Sequence, residues 1–408
     1  MLLDEHGAFL ALTAAPPTGC VRMTLPGRVL IGGFINSHSH AFQRALRGRT
    51  ESASTDENFW SWRDDMYGLV SRLDPDQMQI VATQAYREML SAGYTTVKEF
   101  HYLHHQPNGR PYDDPHEMVH RLIAAAADAR ISLEVERVVY LNTVEAAQAR
   151  FCDGDIDSAL NWTADLAGAV DIKVGIAPHS IRAVSPADIA ACSRWAMARG
   201  VECHSHVAEQ PREVASSLEK FGRRPLAAIG DLGGLGPHFV GVHLTHLSAE
   251  EIVLAGRAGV VACVCPTTEG NLGDGVPFTS SLLSAGAGLG IGSDSNAIID
   301  PFAELRLLEF NERNRLGRRR VLDPAALLNA TTEKWTEGVV PTYLALDCSS
   351  PALLGVAADH LPGAIVMGAG PECIAGIYRG VAEVERDGLH ARNEFTQRYA
   401  RCVQEIFE

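Results

Sequence analysis

The sequence predicts an α/β protein, a (β/α)8 barrel with a small β-sandwich-like appendage built from both termini. Three observations predict it: an alternation of short β-rich runs with longer helix-compatible stretches, eight such runs, and chemistry-bearing residues at the C-terminal ends of most of them. Eight is the number of parallel strands that closes a barrel, and helical crossovers are what parallel strands require. The strand candidates are Gly33–Ser37, Thr95–Phe100, Ser132–Val139, Ile172–Ala177, Val201–Ser205, Phe239–Val242, Val260–Val264 and Gly288–Gly292. Between most of them lie Ala- and Leu-rich segments, among them Gln77–Ala92, Glu117–Ala129, Pro186–Ala198 and Ala249–Ala258. Pro75, Pro186 and Pro324 stand near helix starts, where the missing N–H is not needed.

The domain reading is 1–30 as the N-terminal part of the appendage, 31–335 as the barrel, and 336–408 as the rest of the appendage with a terminal helix. Ala364–Met367 and Ile374–Arg379 read as short strands, and Glu394–Phe407 reads as the helix. A chain of 408 residues can bury one large core of this kind. Its 46% hydrophobic and 21% charged residues are ordinary for a globular enzyme. No apolar run reaches the roughly 18 residues of a membrane helix, and the first residues lack a basic leader pattern. Nine cysteines show no CxxC pair, which reads as a reduced, cytoplasmic protein; Cys263 and Cys265 suit neighbouring core thiols on a strand. A net charge of −15 argues against nucleic acid or an anionic membrane as partner.

Six of the eight strand candidates run into His, Asp or Glu: His38 and His40, His101, His179, His206 with Glu209, His243, and Asp294. The C-terminal strand ends of a barrel converge on one site, so these side chains are expected to meet. His38 and His40, two apart on an extended segment, point the same way and can reach one metal ion. His204 and His206 repeat that spacing, but only one of them need face the metal. Asp294 follows the Gly-rich strand end GIGSDSN, where a carboxylate at a barrel mouth calls for a cation or a proton. Three imidazoles and a carboxylate suit Zn2+, with Fe2+ or Mn2+ accepting the same set. His104, His105, His116, His120, His238, His360 and His390 read as solvated or packing residues, and His246 as belonging to the connection after the sixth strand. Trp60 and Trp62 read as core. The stretch Thr267–Gly275 lacks the P-loop order and reads as a loop lining the barrel mouth.

HSH, HVAE and GSDSN resemble the amidohydrolase superfamily. The longer strings PGRVLIGGFINSHSHAFQRALRG, FWSWRDDMY, KEFHYLHH, GIAPHSIRAV, HSHVAEQPREV, VHLTHL and CPTTEGNLGDG, spread over residues 26–296, resemble its formiminoglutamate iminohydrolases. The resemblance implies a metal-dependent hydrolase barrel and His38, His40, His206 and Asp294 as ligands of one Zn2+ per chain. It implies Glu209, His243 and Asp294 as proton-handling groups, and Gln43, Arg63, Tyr102, His179 and Arg182 as substrate contacts. The implied reaction converts N-formimino-L-glutamate to N-formyl-L-glutamate and ammonia in histidine degradation, in a chain expected to be a homodimer.

Two arginines answer the electrostatic demand of a small anionic substrate on an acidic protein, since guanidinium forks pair with carboxylates. Arg63 by itself could equally pair with Asp64 or Asp65 on the surface. The alternative is a deaminase of a nitrogen heterocycle such as guanine, which gives two arginines nothing to pair with. A metal-bearing binding protein without catalysis would not need Glu209, His243 and Asp294 together. The termini depart from the family pattern: about 30 residues precede the first metal strand, and Thr332–Leu346 looks worn where relatives carry a longer passage into the appendage.

Overall fold

A computed structural model describes residues 1–15, 17–51, 59–143, 145–386 and 393–408. The strands are β1 Leu2–Leu3, β2 Phe9–Ala11, β3 Arg28–Gly32, β4 Phe34–Ser39, β5 Tyr94–His101, β6 Ser132–Val139 and β7 Lys173–Pro178. They continue with β8 Cys203–Val207, β9 Phe239–His243, β10 Val261–Val264, β11 Gly288–Ile291, β12 Thr342–Asp347, β13 Ile374–Arg379 and β14 Ala382–Glu383. Strands β4 to β11 form a closed parallel barrel in sequence order, shut by β11 against β4. Each expected barrel strand exists, most of them shifted by a residue or two, as Phe34–Ser39 is from Gly33–Ser37.

Helices cover the outer face of the barrel strands and their inner face fills the core, so both faces are largely buried. Val135, Ile176, Cys203, Val242, Val264 and Ile291 are all fully or almost fully buried. The helices begin and end where local chemistry dictates. Pro75–Ala92 starts at a capping box, Asp74 accepting from the Gln77 amide, and stops at Gly93 with φ 107°. Pro186–Arg199 is capped by Ser185 and ends at Gly200, also left-handed. Pro75, Pro186 and Pro324 each occupy the first turn of a helix.

Outside the barrel, β3, β12, β13 and β14 form one four-stranded antiparallel sheet, with β12 between β3 and β13. The passage that looked worn therefore supplies an inner strand, Thr342–Asp347, whose first five residues are buried. The β1–β2 ribbon is separate and is tied on by the Phe9 amide donating to the Val339 carbonyl at 2.8 Å. Ala364–Met367 is not a strand. It lies in the helix Leu361–Gly368, which Pro362 opens and whose Ile365 and Val366 are buried against the core. Four apolar residues cannot by themselves choose between the two periodicities. The helix Glu394–Phe407 is present, and no helix among the described residues is long and apolar enough to cross a membrane.

Candidate active site

Backbone pairing at the barrel mouth assembles the cluster. Beyond the strands proper, the Asp294 amide donates to the His38 carbonyl at 3.0 Å and the His40 amide to the Asp294 carbonyl at 2.9 Å. The two chains come this close because residue 292 is glycine: a Cβ there would lie 2.6 Å from the His38 oxygen. Ala208, His243 and Asp294 follow or end their strands at φ 53°, 69° and 46°, a left-handed backbone uncommon outside glycine. Such conformations persist where surrounding structure over-determines them, and they gather at functional sites. Here each one turns a strand end so that its side chain, or the next one, faces the mouth.

The resulting geometry suits a metal. Asp294 Oδ1 lies 3.4 Å from both His38 Nε2 and His40 Nε2, and His206 Nε2 lies 3.2 Å from His38 Nε2. His40 Nδ1 faces the Phe100 carbonyl at 3.0 Å and His206 Nδ1 the His179 carbonyl at 2.9 Å. A carbonyl can only accept, so both rings carry their proton on Nδ1 and turn an Nε2 lone pair inward. Lone pairs converging at these distances form a set that one bound cation would satisfy. Burial, reinforced by neighbouring imidazoles, holds His38 and His206 well below the usual imidazole value and His40 at about 3, the neutral form that binds metal.

Beside the cluster, His243 Nε2 stands 3.7 Å from Glu209 Oε1 and 3.8 Å from Asp294 Oδ2, while its Nδ1 meets Glu269 Oε1 at 3.3 Å. Burial opposes charge on His243, but Glu209, Glu269 and Asp294 outweigh it and hold the ring well above its ordinary value. Glu209 Oε2 accepts from Arg182 Nη2 at 2.6 Å. The Glu213 carboxylate accepts from the amides of Ala208 and Glu209 at 3.0 and 3.3 Å, fixing the turn that aims Glu209.

A cavity opens over the cluster, with about 650 Å³ of empty space counting its opening to solvent. Gln43, Arg63, Tyr102, His179 and Arg182 line it together with His40, His206, Glu209, His243 and Asp294, while His38 lies fully buried beneath. Gln43 donates to the Tyr102 hydroxyl at 3.1 Å, and its amide oxygen is buried without a protein partner. The Arg63 guanidinium lies over the rings of Trp60 and Tyr67 at 4.7 and 5.4 Å.

Some expectations fail. His101 does not join the convergent set. Phe100 faces the barrel interior against His38, His40 and His206, so strand alternation sends His101 into the layer between strands and helices, beside His104 and Arg137. His204 points inward but one layer deeper than His206, where it meets Glu202 at 2.9 Å and Glu136 at 3.6 Å, with Lys98 pairing Glu202. Thr267–Gly275 is largely the helix Pro266–Leu272, whose Leu272 reaches the cavity. His390 lies outside the described residues. Trp62, read as core, lines the cavity. Phe59, Trp62, Arg63, Met66 and Tyr67 recur at helical spacing along Phe59–Val70, a one-face signal that marks this wall. Glu213 and Glu269, in the strings REV and TTEG, carried no signal that would separate them from surface acids.

The amidohydrolase family model matches residues 29–334. Over 94% of its length the chain is 36% identical to a formimidoylglutamate deiminase of Pseudomonas aeruginosa, 90% of which is covered. This chain belongs to the amidohydrolase family. The amidohydrolase is also 28% identical to an 8-oxoguanine deaminase of the same organism, over 81% of this chain and 75% of that one. A solved amidohydrolase from Brucella melitensis superposes with a TM-score of 0.84 at 31% identity, covering 93% of this chain and 90% of that one. An adenosine deaminase from Xanthomonas campestris, solved with bound zinc, shares the fold with a TM-score of 0.77 at 21% identity, covering 94% and 87%. The protein is thus a deaminase-type hydrolase of carbon–nitrogen bonds from a metal-dependent family, with a His/Asp cluster at its barrel mouth.

Proposed function

We propose that this amidohydrolase hydrolyses N-formimino-L-glutamate to N-formyl-L-glutamate and ammonia, a step of histidine breakdown, with zinc at His38, His40, His206 and Asp294. The observation that carries the reading is that Arg63 and Arg182 line one cavity with the His/Asp cluster. A substrate with two carboxylates and a reactive amidine finds partners for all three groups there. The name of the 36% identical relative, formimidoylglutamate deiminase, supports the same substrate.

Zinc, when bound, lowers the pKa of a coordinated water to about 7 and so supplies a nucleophile at neutral pH. The protein's own groups do the rest. Asp294 takes the water's first proton, while His243, held in its charged form, orients the water. The water oxygen bonds to the formimino carbon, and Glu209 passes protons to the terminal nitrogen. Breaking the carbon–nitrogen bond then releases ammonia, which carries away both water hydrogens. Glu209 suits the shuttle because it borders the cluster without being among its converging ligand atoms. Gln43, Tyr102 and His179 supply polar contacts around the substrate.

A second reading has one observation in its favour. Phe59, Trp62, Tyr67, Tyr140 and Phe151 also line the cavity and would flank a flat heterocycle. Ammonia release from zinc-loaded protein decides between them, with N-formimino-L-glutamate, N-formimino-L-aspartate and guanine as substrates. Turnover of the glutamate compound, with KM raised in Arg63→Met at full metal content, supports the proposal. Turnover of guanine alone replaces it.

A further inference from the structure

Arg182 has two calls on one guanidinium. It is the cation we assign to a substrate carboxylate, and it is already paired with Glu209, the acid we assign to the proton transfer, at 2.6 Å. The other Glu209 oxygen faces His243 Nε2 at 3.7 Å, so both oxygens of this carboxylate face cationic or imidazole partners before any substrate arrives. Glu209 is 5% exposed and lines the cavity. With one oxygen held by Arg182 and the other turned to His243, the carboxylate has neither oxygen free to meet the substrate's nitrogen.

We propose that the substrate's carboxylate exchanges with Glu209 for Arg182, and that this exchange frees Glu209 to carry the proton. The inference rests on the substrate reading above and adds to it a coupling between recognition and chemistry. The surroundings permit the exchange with little else moving. Glu213 Oε2 lies 3.9 Å from Arg182 Nε, and Ser180 Oγ accepts from the same nitrogen at 3.2 Å, so Arg182 stays anchored when Glu209 leaves. Glu213 also holds the amides of Ala208 and Glu209, so the backbone beneath the acid stays fixed and only the side chain swings. Once the exchange is made, Glu209 is a carboxylate that has lost its guanidinium partner in a buried site. That charge is neutralised when Glu209 takes up a proton, one of the two that the attacking water loses. The proton then passes to the departing nitrogen, and no other reactant is required. A compound with the amidine but no carboxylate leaves Glu209 locked, so it loses turnover as well as binding.

The test uses N-butylformamidine, which carries the amidine without either carboxylate, beside N-formimino-L-glutamate. With unaltered zinc-loaded protein, kcat for the truncated compound is expected to fall by a factor on the order of 10² to 10⁴, the range of a lost acid–base group. Added propionate should then raise that kcat saturably, by occupying Arg182. Arg182→Met should turn over N-butylformamidine faster than the unaltered protein does, while its turnover of the glutamate compound drops. A purely binding role for Arg182 gives neither gain. Because Arg182→Met leaves buried carboxylates without a counter-charge and can impair folding, the propionate arm decides. Propionate that inhibits, or has no effect up to saturation, overturns the exchange. Failure of the unaltered protein to release ammonia from N-formimino-L-glutamate overturns the substrate reading itself, whereas turnover of that compound without propionate activation sinks the exchange alone.

Discussion

At the scale of single residues, the site is built from groups whose protonation is dictated from behind. The Phe100 and His179 carbonyls fix the tautomers of His40 and His206, and Glu269 faces Nδ1 of His243 and favours its charged form. Glu209 faces His243 and is outside the converging ligand groups among the described residues, so Glu209→Gln should lower kcat by a factor on the order of 10² to 10⁴ and leave metal content unchanged. Plasma emission analysis beside the ammonia assay checks both halves. Glu99, buried under the first metal strand, accepts from the Ala41 amide, and burial pushes its carboxyl from 4.5 to about 8. Between those two values the folded protein keeps a proton that the unfolded chain has lost, so stability falls as pH rises through that window. Glu99→Gln removes the titration. Its Tm relative to the unaltered protein should climb from pH 4.5 to pH 8 and level off above; a pH-independent difference would show that Glu99 is charged in the folded state.

At the scale of elements, identical spacing gives different outcomes. His38–Ser39–His40 ends β4 with both rings on the cluster, because β11 is drawn against that end through Gly292. His204–Ser205–His206 sits two residues further inside β8, so only His206 reaches the mouth while His204 serves a buried charge layer with Glu136, Glu202 and Lys98. Gly175 makes room for that layer, since a Cβ there would meet Glu136 Oε2 at 1.9 Å. Gly292→Ala should force β11 away from β4 and weaken metal binding by roughly 10- to 100-fold, the effect of disturbing groups that orient ligands. Competition with a chromophoric chelator measures it. Unchanged affinity would mean the strand ends can part without moving Asp294.

At the scale of the whole molecule, the closed barrel brings residues 38 and 294 into backbone contact, so a metal held by both should be thermodynamically linked to the fold. Stripping the metal with a chelator should lower Tm and abolish ammonia release together. Zinc should restore both, with a gain of about 2.7 kcal/mol when free metal is 100 times its Kd. Differential scanning calorimetry at graded zinc concentrations reads the linkage. A Tm indifferent to zinc would place the metal on a surface that does not depend on the barrel being closed.

The barrel and most of its mouth could be read from the chain alone. Alternation of β-rich and helical runs is a local property, and the C-terminal ends of parallel strands converge whatever lies between them, so His38, His40, His179, His206, His243 and Asp294 were legible as one set. Helix limits set by Asp74–Pro75, Ser185–Pro186 and Gly200 were equally local. Tertiary structure alone decided what depends on distances between strands. It turned His101 outward by strand parity and placed Leu361–Gly368 as a helix by packing it on the core. It set the left-handed φ of Ala208, His243 and Asp294, which no residue type announces. It also closed Arg182 onto Glu209, a pair 27 positions apart whose meeting depends on how β7 and β8 end side by side. A residue's type fixes the chemistry it can do; the register of the strands fixes which partner it does it with.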